Sequence, residues 1–193
     1  MRLGPVPPGA PSEVGGVLFE EERIRSRVAE MGAAIGADYA GQQLVLVTVL
    51  RGGLFFLADL CREIRLDMRL DFMAISSYGP AAHDDTGAVR VTKDLDEDIE
   101  GAHVLVVEDV IDTGLTLNYL LRTLRSRKPA SLEVAVLLDR GQRRIADLPI
   151  TYRGFRMPDT FAIGYGLDLD GRFRNLRYLG VLSDEALAEA GLV

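Results

Sequence analysis

Apolar positions along this chain follow two rhythms. Over residues 20–39, Ile24, Val28, Met31 and Ile35 recur at helical spacing opposite a face of Glu and Arg, which predicts an amphipathic helix. Residues 44–50, "LVLVTVL", are a continuous apolar and β-branched run, the pattern of a strand covered on both faces. "RGG" breaks that run, and residues 54–64 resume the helical period. "LDFMAISS" (70–77), "HVLVVED" (103–109) and "SLEVAVLLD" (131–139) predict three more strands, the last two separated by a helix over about 115–127. Strand, helix, strand predicts a right-handed parallel crossover. "FAIGYG" (161–166) predicts a further strand, and residues 183–191 a short helix with Ser183 as N-cap and Gly191 as stop.

Two stretches lack either rhythm. Residues 1–19, rich in Pro and Gly at their start, read as a loose arm before a single domain over 20–193. Residues 78–101 carry turn residues and few apolar anchors, which predicts a long binding loop or lid, mobile over about 77–91. The alternation of strands and helices predicts an α/β domain with a doubly wound, mainly parallel sheet whose ligand lies at the carboxyl ends of the strands.

Composition narrows the function. A formal net charge of −7 argues against a broad phosphate-tracking surface, so nucleic acid is not an expected partner. Cys61 is the only cysteine, which excludes an internal disulfide and a cysteine-based metal site and predicts a cytoplasmic protein. No apolar run approaches membrane-spanning length, so no membrane association is expected. His83 and His103 lack metal-ligand spacing, and "DLDG" (168–171) lacks the remaining ligands of a calcium loop.

The chemistry concentrates in "VLVVEDVIDTGLT" (104–116). Thr113, Gly114 and Thr116 stand where a strand turns into a helix, and the unpaired N–H groups and positive dipole end there suit a phosphate monoester. Glu108 and Asp109 would repel a phosphate at contact distance but suit the hydroxyls of a sugar, or a Mg²⁺. Asp112 is left for proton work. A sugar phosphate satisfies all three; the competing reading is a helix cap beside solvated acids. Neither G-x-G-x-x-G nor G-x-x-x-x-G-K-[ST] occurs.

"VVEDVIDTGLT" resembles the phosphoribosyl pyrophosphate (PRPP) binding motif of type I phosphoribosyltransferases, in the form carried by the hypoxanthine-guanine phosphoribosyltransferases. "VLRGGLFFLADL" resembles that family's pyrophosphate loop, "ISSYG" the start of its mobile loop, "LLDRGQRR" its base-contacting segment, and "PDTFAIGYGLD" followed by "RNL" its purine-stacking hood. The likeness covers nearly all of the chain after residue 20. An Asp at position 112 is similar to the 6-oxopurine enzymes among the superfamily.

The resemblance implies transfer of the phosphoribosyl group of PRPP to hypoxanthine or guanine with release of pyrophosphate, a type I phosphoribosyltransferase fold with a small hood from both termini (about 155–180 for the base), Mg²⁺ as cofactor, and a homo-oligomer, dimer or tetramer. It assigns the 5′-phosphate to Asp112, Thr113, Gly114, Leu115 and Thr116. Glu108 and Asp109 go to the ribose and, with Asp168, to the metal. Pyrophosphate falls to Arg51, Gly52, Ser77, Tyr78 and Arg174, and the base to Arg140, Phe161, Ala162 and Asp168. Asp112 accepts the hydrogen bond or proton of the purine N7. The clearest departure is Arg140-Gly141 where relatives mostly show Lys-Pro. Arg keeps the charge but is longer, planar and forked, so base preference is least defined. Another base, such as xanthine, is one alternative; a regulatory nucleotide-binding protein that uses this fold on RNA is another, opposed by the acidic composition and by Asp112.

Overall fold

The structure, a computed structural model, describes residues 2–78, 88–146 and 148–192. In chain order the elements are β1 (Val14–Phe19), α1 (Glu21–Asp38), β2 (Leu44–Leu50), α2 (Leu54–Glu63), β3 (Met68–Tyr78), β4 (Ala88–Lys93), β5 (His103–Ile111), α3 (Leu115–Arg125), β6 (Ser131–Asp139), β7 (Ile150–Arg156), β8 (Ala162–Ile163), β9 (Leu179–Leu182) and α4 (Asp184–Glu189). A six-stranded sheet has the order β4-β3-β2-β5-β6-β7, parallel throughout except β4, which runs antiparallel on β3. A second sheet, β1-β9-β8, is antiparallel and forms the hood.

Alternate residues of the central strands explain why those runs are apolar without interruption. Leu44 and Leu46 of β2, Leu105 and Val107 of β5, and Ala135 and Leu137 of β6 pack with Ile24, Val28, Met31 and Ile35 of α1 and with Phe56, Leu57 and Leu60 of α2. Their neighbours Val45, Val47, Val104, Val106, Val134 and Val136 pack on the other face against Leu117, Leu120, Leu121 and Leu124 of α3. Both faces are therefore buried, as a doubly wound sheet requires. Truncating a residue such as Leu120, 1% exposed, to Ala would cost ~2–5 kcal/mol.

From β2 the chain crosses to β3 on one side, and from β5 to β6 on the other, so the order reverses between β2 and β5. A crevice opens where neighbouring connections leave in opposite directions. "RGG" follows β2 and "DTG" follows β5, which puts both motifs at that crevice.

The structure differs from the sequence reading in several places, one of them β9, to which no element was given. The arm ends before Val14: residues 14–19 form β1, with Val14, Val17, Leu18 and Phe19 buried, and Gly4 exchanges backbone hydrogen bonds with Val17 at 2.7 and 3.1 Å. Its partner β9 lies at the far end of the chain, beyond the reach of local patterning. Residues 88–93, placed in the long loop, form β4; "AVRVTK" is an edge strand whose alternation is too short to stand out. The expected mobile segment 77–91 lies largely outside the described residues. Residues 150–156, given no element, form β7, where Gly154 lets the backbone approach β6: a Cβ there would lie 2.4 Å from Leu137 O. Only Ala162 and Ile163 of "FAIGYG" are strand, because Gly164, Tyr165 and Gly166 turn away at positive φ. Finally, β5 continues past Asp109 to Ile111, so the turn begins at Asp112.

Candidate active site

The turn after β5 forms a small cup. Gly114 sits at φ +82 as the N-terminal flank of α3, a conformation that disfavours any side chain, and a Cβ there would lie 2.7 Å from Leu148 Cδ1. Gly114 offers no side chain to cap α3, and Leu115 N donates to Thr113 Oγ1 only at a long 3.5 Å, so the first N–H groups remain available at the helix end. A cavity of about 220 Å³ opens over them, lined by Glu108, Asp112, Thr113, Gly114 and Thr116 with Val49 and Ile75. Unpaired donors and a positive dipole end make this a place for an anion. A larger cavity of about 410 Å³ lies among α1, α2 and residues 165–177, but neither the paired acids nor the cup lines it.

Glu108 and Asp109 stand on β5 beneath the cup, both partly buried. Burial pushes the Glu108 carboxyl well above its ordinary value, and the neighbouring Asp109 charge adds to this. Burial likewise raises Asp109 to about 6; the N–H of Val110, which donates to Asp109 Oδ1 at 2.7 Å, and the Arg174 charge oppose the rise, and Asp168 adds to it. Two acids raised by burial favour a cation or hydroxyl donors as ligand.

The "RGG" turn is wedged against this pair. A Cβ on Gly52 would lie 1.7 Å from Asp109 Oδ2, and one on Gly53 would lie 2.2 Å from Oγ1 of buried Thr48, which donates to Val107 O at 2.7 Å. Both glycines are thus required by close approach. The Leu50–Arg51 peptide is cis, and Arg51 is exposed. From the hood, Arg174 donates to Gly166 O at 2.6 Å and pairs with Asp168 Oδ1 at 2.6 Å, while a Cβ on Gly166 would lie 2.3 Å from Gly52 O. Gly52, Asp109, Asp168 and Arg174 therefore meet in one cluster drawn from three parts of the chain.

Asp112 belongs to a second cluster. Its Oδ2 takes Arg140 at 3.3 Å and Arg143 at 3.5 Å, whereas Oδ1 is buried and meets no donor among the described residues. Arg140, 15% exposed on its side chain, also donates to Thr160 O, which ties it to the residue before Phe161. Phe161 packs on the hood cluster of Val14, Ile163 and Phe173, and Ala162 lies on β8. Leu115, at the first turn of α3, is exposed. Ser77 and Tyr78 lie at the carboxyl end of β3, paired through the backbone with Val89 and Ala88.

Residue-by-residue reading of the sequence missed Arg143, Arg144 and Asp139. Arg143 pairs with Asp159 at 2.9 Å as well as with Asp112. Asp139, 5% exposed, is a buried carboxylate between Arg144 and Arg153, the latter at 2.6 Å. That N–O distance makes an ion pair even though the Arg153 Nε–H is misaligned for a hydrogen bond. The signal was present in the density of arginines in "DRGQRR", but only the fold shows which carboxylates they reach.

Comparison with known proteins adds to this geometry. The family described as the phosphoribosyl transferase domain matches residues 18–170. A hypoxanthine-guanine phosphoribosyltransferase of Mycobacterium avium is 48% identical over 178 residues, covering 89% of this chain and 87% of that protein. A hypoxanthine phosphoribosyltransferase of Salmonella typhimurium is 46% identical over 173 residues, covering 88% of this chain and 97% of its own length. The crystal structure of a hypoxanthine phosphoribosyltransferase from Staphylococcus aureus superposes with a TM-score of 0.86 at 42% identity, over 90% of this chain and 94% of that one.

Proposed function

We infer the reaction from the premise that this chain belongs to the phosphoribosyl transferase family. The chain transfers the 5-phosphoribosyl group of PRPP to a 6-oxopurine, hypoxanthine or guanine, giving the nucleoside monophosphate and pyrophosphate, a reaction of purine salvage. The observation that carries the geometric side of this reading is the Asp112 carboxylate: one oxygen is held by two arginines and the other is buried and free to accept.

In this mechanism the cup at Thr113, Gly114, Leu115 and Thr116, with Asp112, receives the 5′-phosphate. Glu108 and Asp109 face the ribose hydroxyls. Arg51, Gly52 and Arg174, with Ser77 and Tyr78, receive the pyrophosphate. Phe161 offers a face to the purine, and Arg140, Ala162 and Asp168 meet its edge. As the bond from C1′ to pyrophosphate breaks and N9 bonds to C1′, Asp112 Oδ1 accepts the hydrogen bond or proton of N7, the work of a positioned base. Holding both partners in line supplies most of the remaining acceleration.

The acids present fit a Mg²⁺ carried in with the substrate. Asp109 is raised to about 6 by burial, which a cation would reverse, and Asp168 stands close enough to raise it further. Among the described residues no three His, Cys, Asp or Glu side chains form a closed metal cage. One or two carboxylates plus substrate phosphates is the usual donor set for Mg²⁺. Glu108, Asp109 and Asp168 would hold or orient it. When bound, it offsets the growing charge on pyrophosphate.

Among the described residues no helix is long and apolar enough to cross a membrane. The protein acts as a homo-oligomer in this reading, which sedimentation of the full chain would test. The reaction itself is tested by incubating the chain with PRPP, Mg²⁺ and each of the purine bases. Hypoxanthine or guanine should be consumed, turnover should stop in excess chelator, and Asp112→Asn should lower kcat by roughly 10²-fold or more. Full turnover in chelator, or an unchanged rate in the variant, would overturn the assignment of these roles.

A further inference from the structure

One segment takes every carbonyl oxygen of the turn between Ile111 and Thr113. Arg140 N donates to Ile111 O at 3.0 Å, Arg144 Nε to Asp112 O at 3.4 Å, and Ile145 N and Ala146 N to Thr113 O at 2.9 and 3.2 Å. These peptide units are trans, and in a planar trans peptide the N–H points opposite to the C=O of the same unit. Bonds that draw the three carbonyls toward residues 140–146 therefore turn the N–H groups of Asp112, Thr113 and Gly114 to the other side. On that side lies the 220 Å³ cavity, lined by Asp112, Thr113, Gly114 and Thr116 and by none of residues 140–146. Without these acceptor bonds a carbonyl could rotate toward the cup, where it would face an anion with its negative end.

Arg144 is the one side chain in this set, and it is anchored. One of its terminal nitrogens pairs with Oδ1 of buried Asp139, whose Oδ2 is held by Arg153 at 2.6 Å. Its stem passes close to Gly114, with Cδ 3.1 Å from where a Cβ on that glycine would stand. The side chain is only 17% exposed and does not line the cavity. It touches the turn from behind.

We propose that Arg144 is a positioning residue for the phosphate cup: held by Asp139, it fixes the peptide between Asp112 and Thr113 so that the donors face the cavity before ligand arrives. This rests on the proposed phosphoribosyl transfer, in which the cup receives the 5′-phosphate. Preorganised donors raise affinity by sparing the ligand the work of orienting them. Asp139 acts through Arg144 and stands one step further from the ligand.

The test uses the full chain and two variants. Arg144→Met keeps the stem and removes every donor. Arg144→Lys keeps a cation beside Asp139, but a single ammonium cannot serve both that carboxylate and Asp112 O. Steady-state kinetics would give kcat and KM for PRPP and for hypoxanthine, calorimetry would give Kd for ribose 5-phosphate, and urea unfolding would give stability. In both variants KM for PRPP and Kd for ribose 5-phosphate should rise by about fivefold or more, while KM for hypoxanthine stays within about twofold. The Lys variant should unfold close to wild type, so its weakened phosphate binding would not come from unfolding. The proposal is overturned if both variants bind PRPP and ribose 5-phosphate within about twofold of wild type, or if both substrates weaken together in step with lost stability. Should the wild-type chain fail to turn over hypoxanthine with PRPP, the proposed function falls, and the ribose 5-phosphate titration still decides the role of Arg144.

Discussion

Replacing Asp109 by Asn should stabilise the metal-free protein at neutral pH while removing a group the reaction needs. Burial raises the Asp109 carboxyl to about 6, against 3.8 for an ordinary Asp. Each tenfold change in proton affinity is worth ~1.4 kcal/mol, so holding Asp109 ionised costs the folded chain ~3 kcal/mol at a pH well above 6. Because the side chain keeps some contact with water, screening reduces this to ~2 kcal/mol. A folded-state value above the unfolded one means that the stabilising contribution is complete below 3.8 and is lost as pH rises through about 6. Asn is neutral throughout, places an acceptor for the Val110 N–H in the same position, and matches the shape required beside Gly52. It also removes the charge that helps to raise Glu108, which adds to the gain. Urea unfolding in chelator between about pH 4 and about pH 7.5 would measure the effect. The variant should exceed wild type by ~2 kcal/mol at the upper end, with the gap closing toward the lower end. Equal midpoints at the upper end, or a gap that does not change with pH, would refute the reasoning.

Three further outcomes follow from the geometry. Gly52→Ala places a Cβ 1.7 Å from Asp109 Oδ2, so the acid must swing aside; kcat/KM should fall by about tenfold or more with the far-ultraviolet circular dichroism unchanged. Arg140→Ala removes a permanent donor that a carbonyl oxygen can use and an amino group cannot. The ratio of kcat/KM for hypoxanthine over adenine should therefore fall by about tenfold or more, measured with each base at saturating PRPP. Gly154→Ala drives a Cβ to 2.4 Å from Leu137 O and must push β7 away from β6; thermal unfolding should show a loss of ~2 kcal/mol.

The sequence alone determined the central sheet and the turn that carries the chemistry. The middles of β2, β5 and β6 (44–47, 104–107 and 134–138) are continuous apolar runs, and such a run is stable only when both faces are covered, so the pattern itself specified the doubly wound layer. Ser183 capping α4 was legible for the same local reason, since a hydroxyl one residue before a helix can reach only the N–H groups there; it accepts from Ala186 N. The turn at 112–114 was legible because Thr113, Gly114 and Thr116 stand between an apolar run and a helical period, and because acids so close to a helix start serve few structural ends. Strands β1 and β9 were not legible, because each finds its edge partner at the opposite end of the chain and neither shows a period of its own. Residues 150–156 show no marked period, and the need for glycine at position 154 becomes visible only with β6 beside it. The same holds for charge. Nothing in "DRGQRR" says that Arg140 and Arg143 share Asp112 Oδ2 while Arg144 reaches buried Asp139, because those distances are set by the parallel pairing of β5 with β6, which brings Ile111 opposite Asp139. Local backbone preference and hydrophobic period are properties of neighbours in sequence and can be read there. Which carboxylate a given arginine meets depends on strand register and on burial, and these exist only once the sheet has formed.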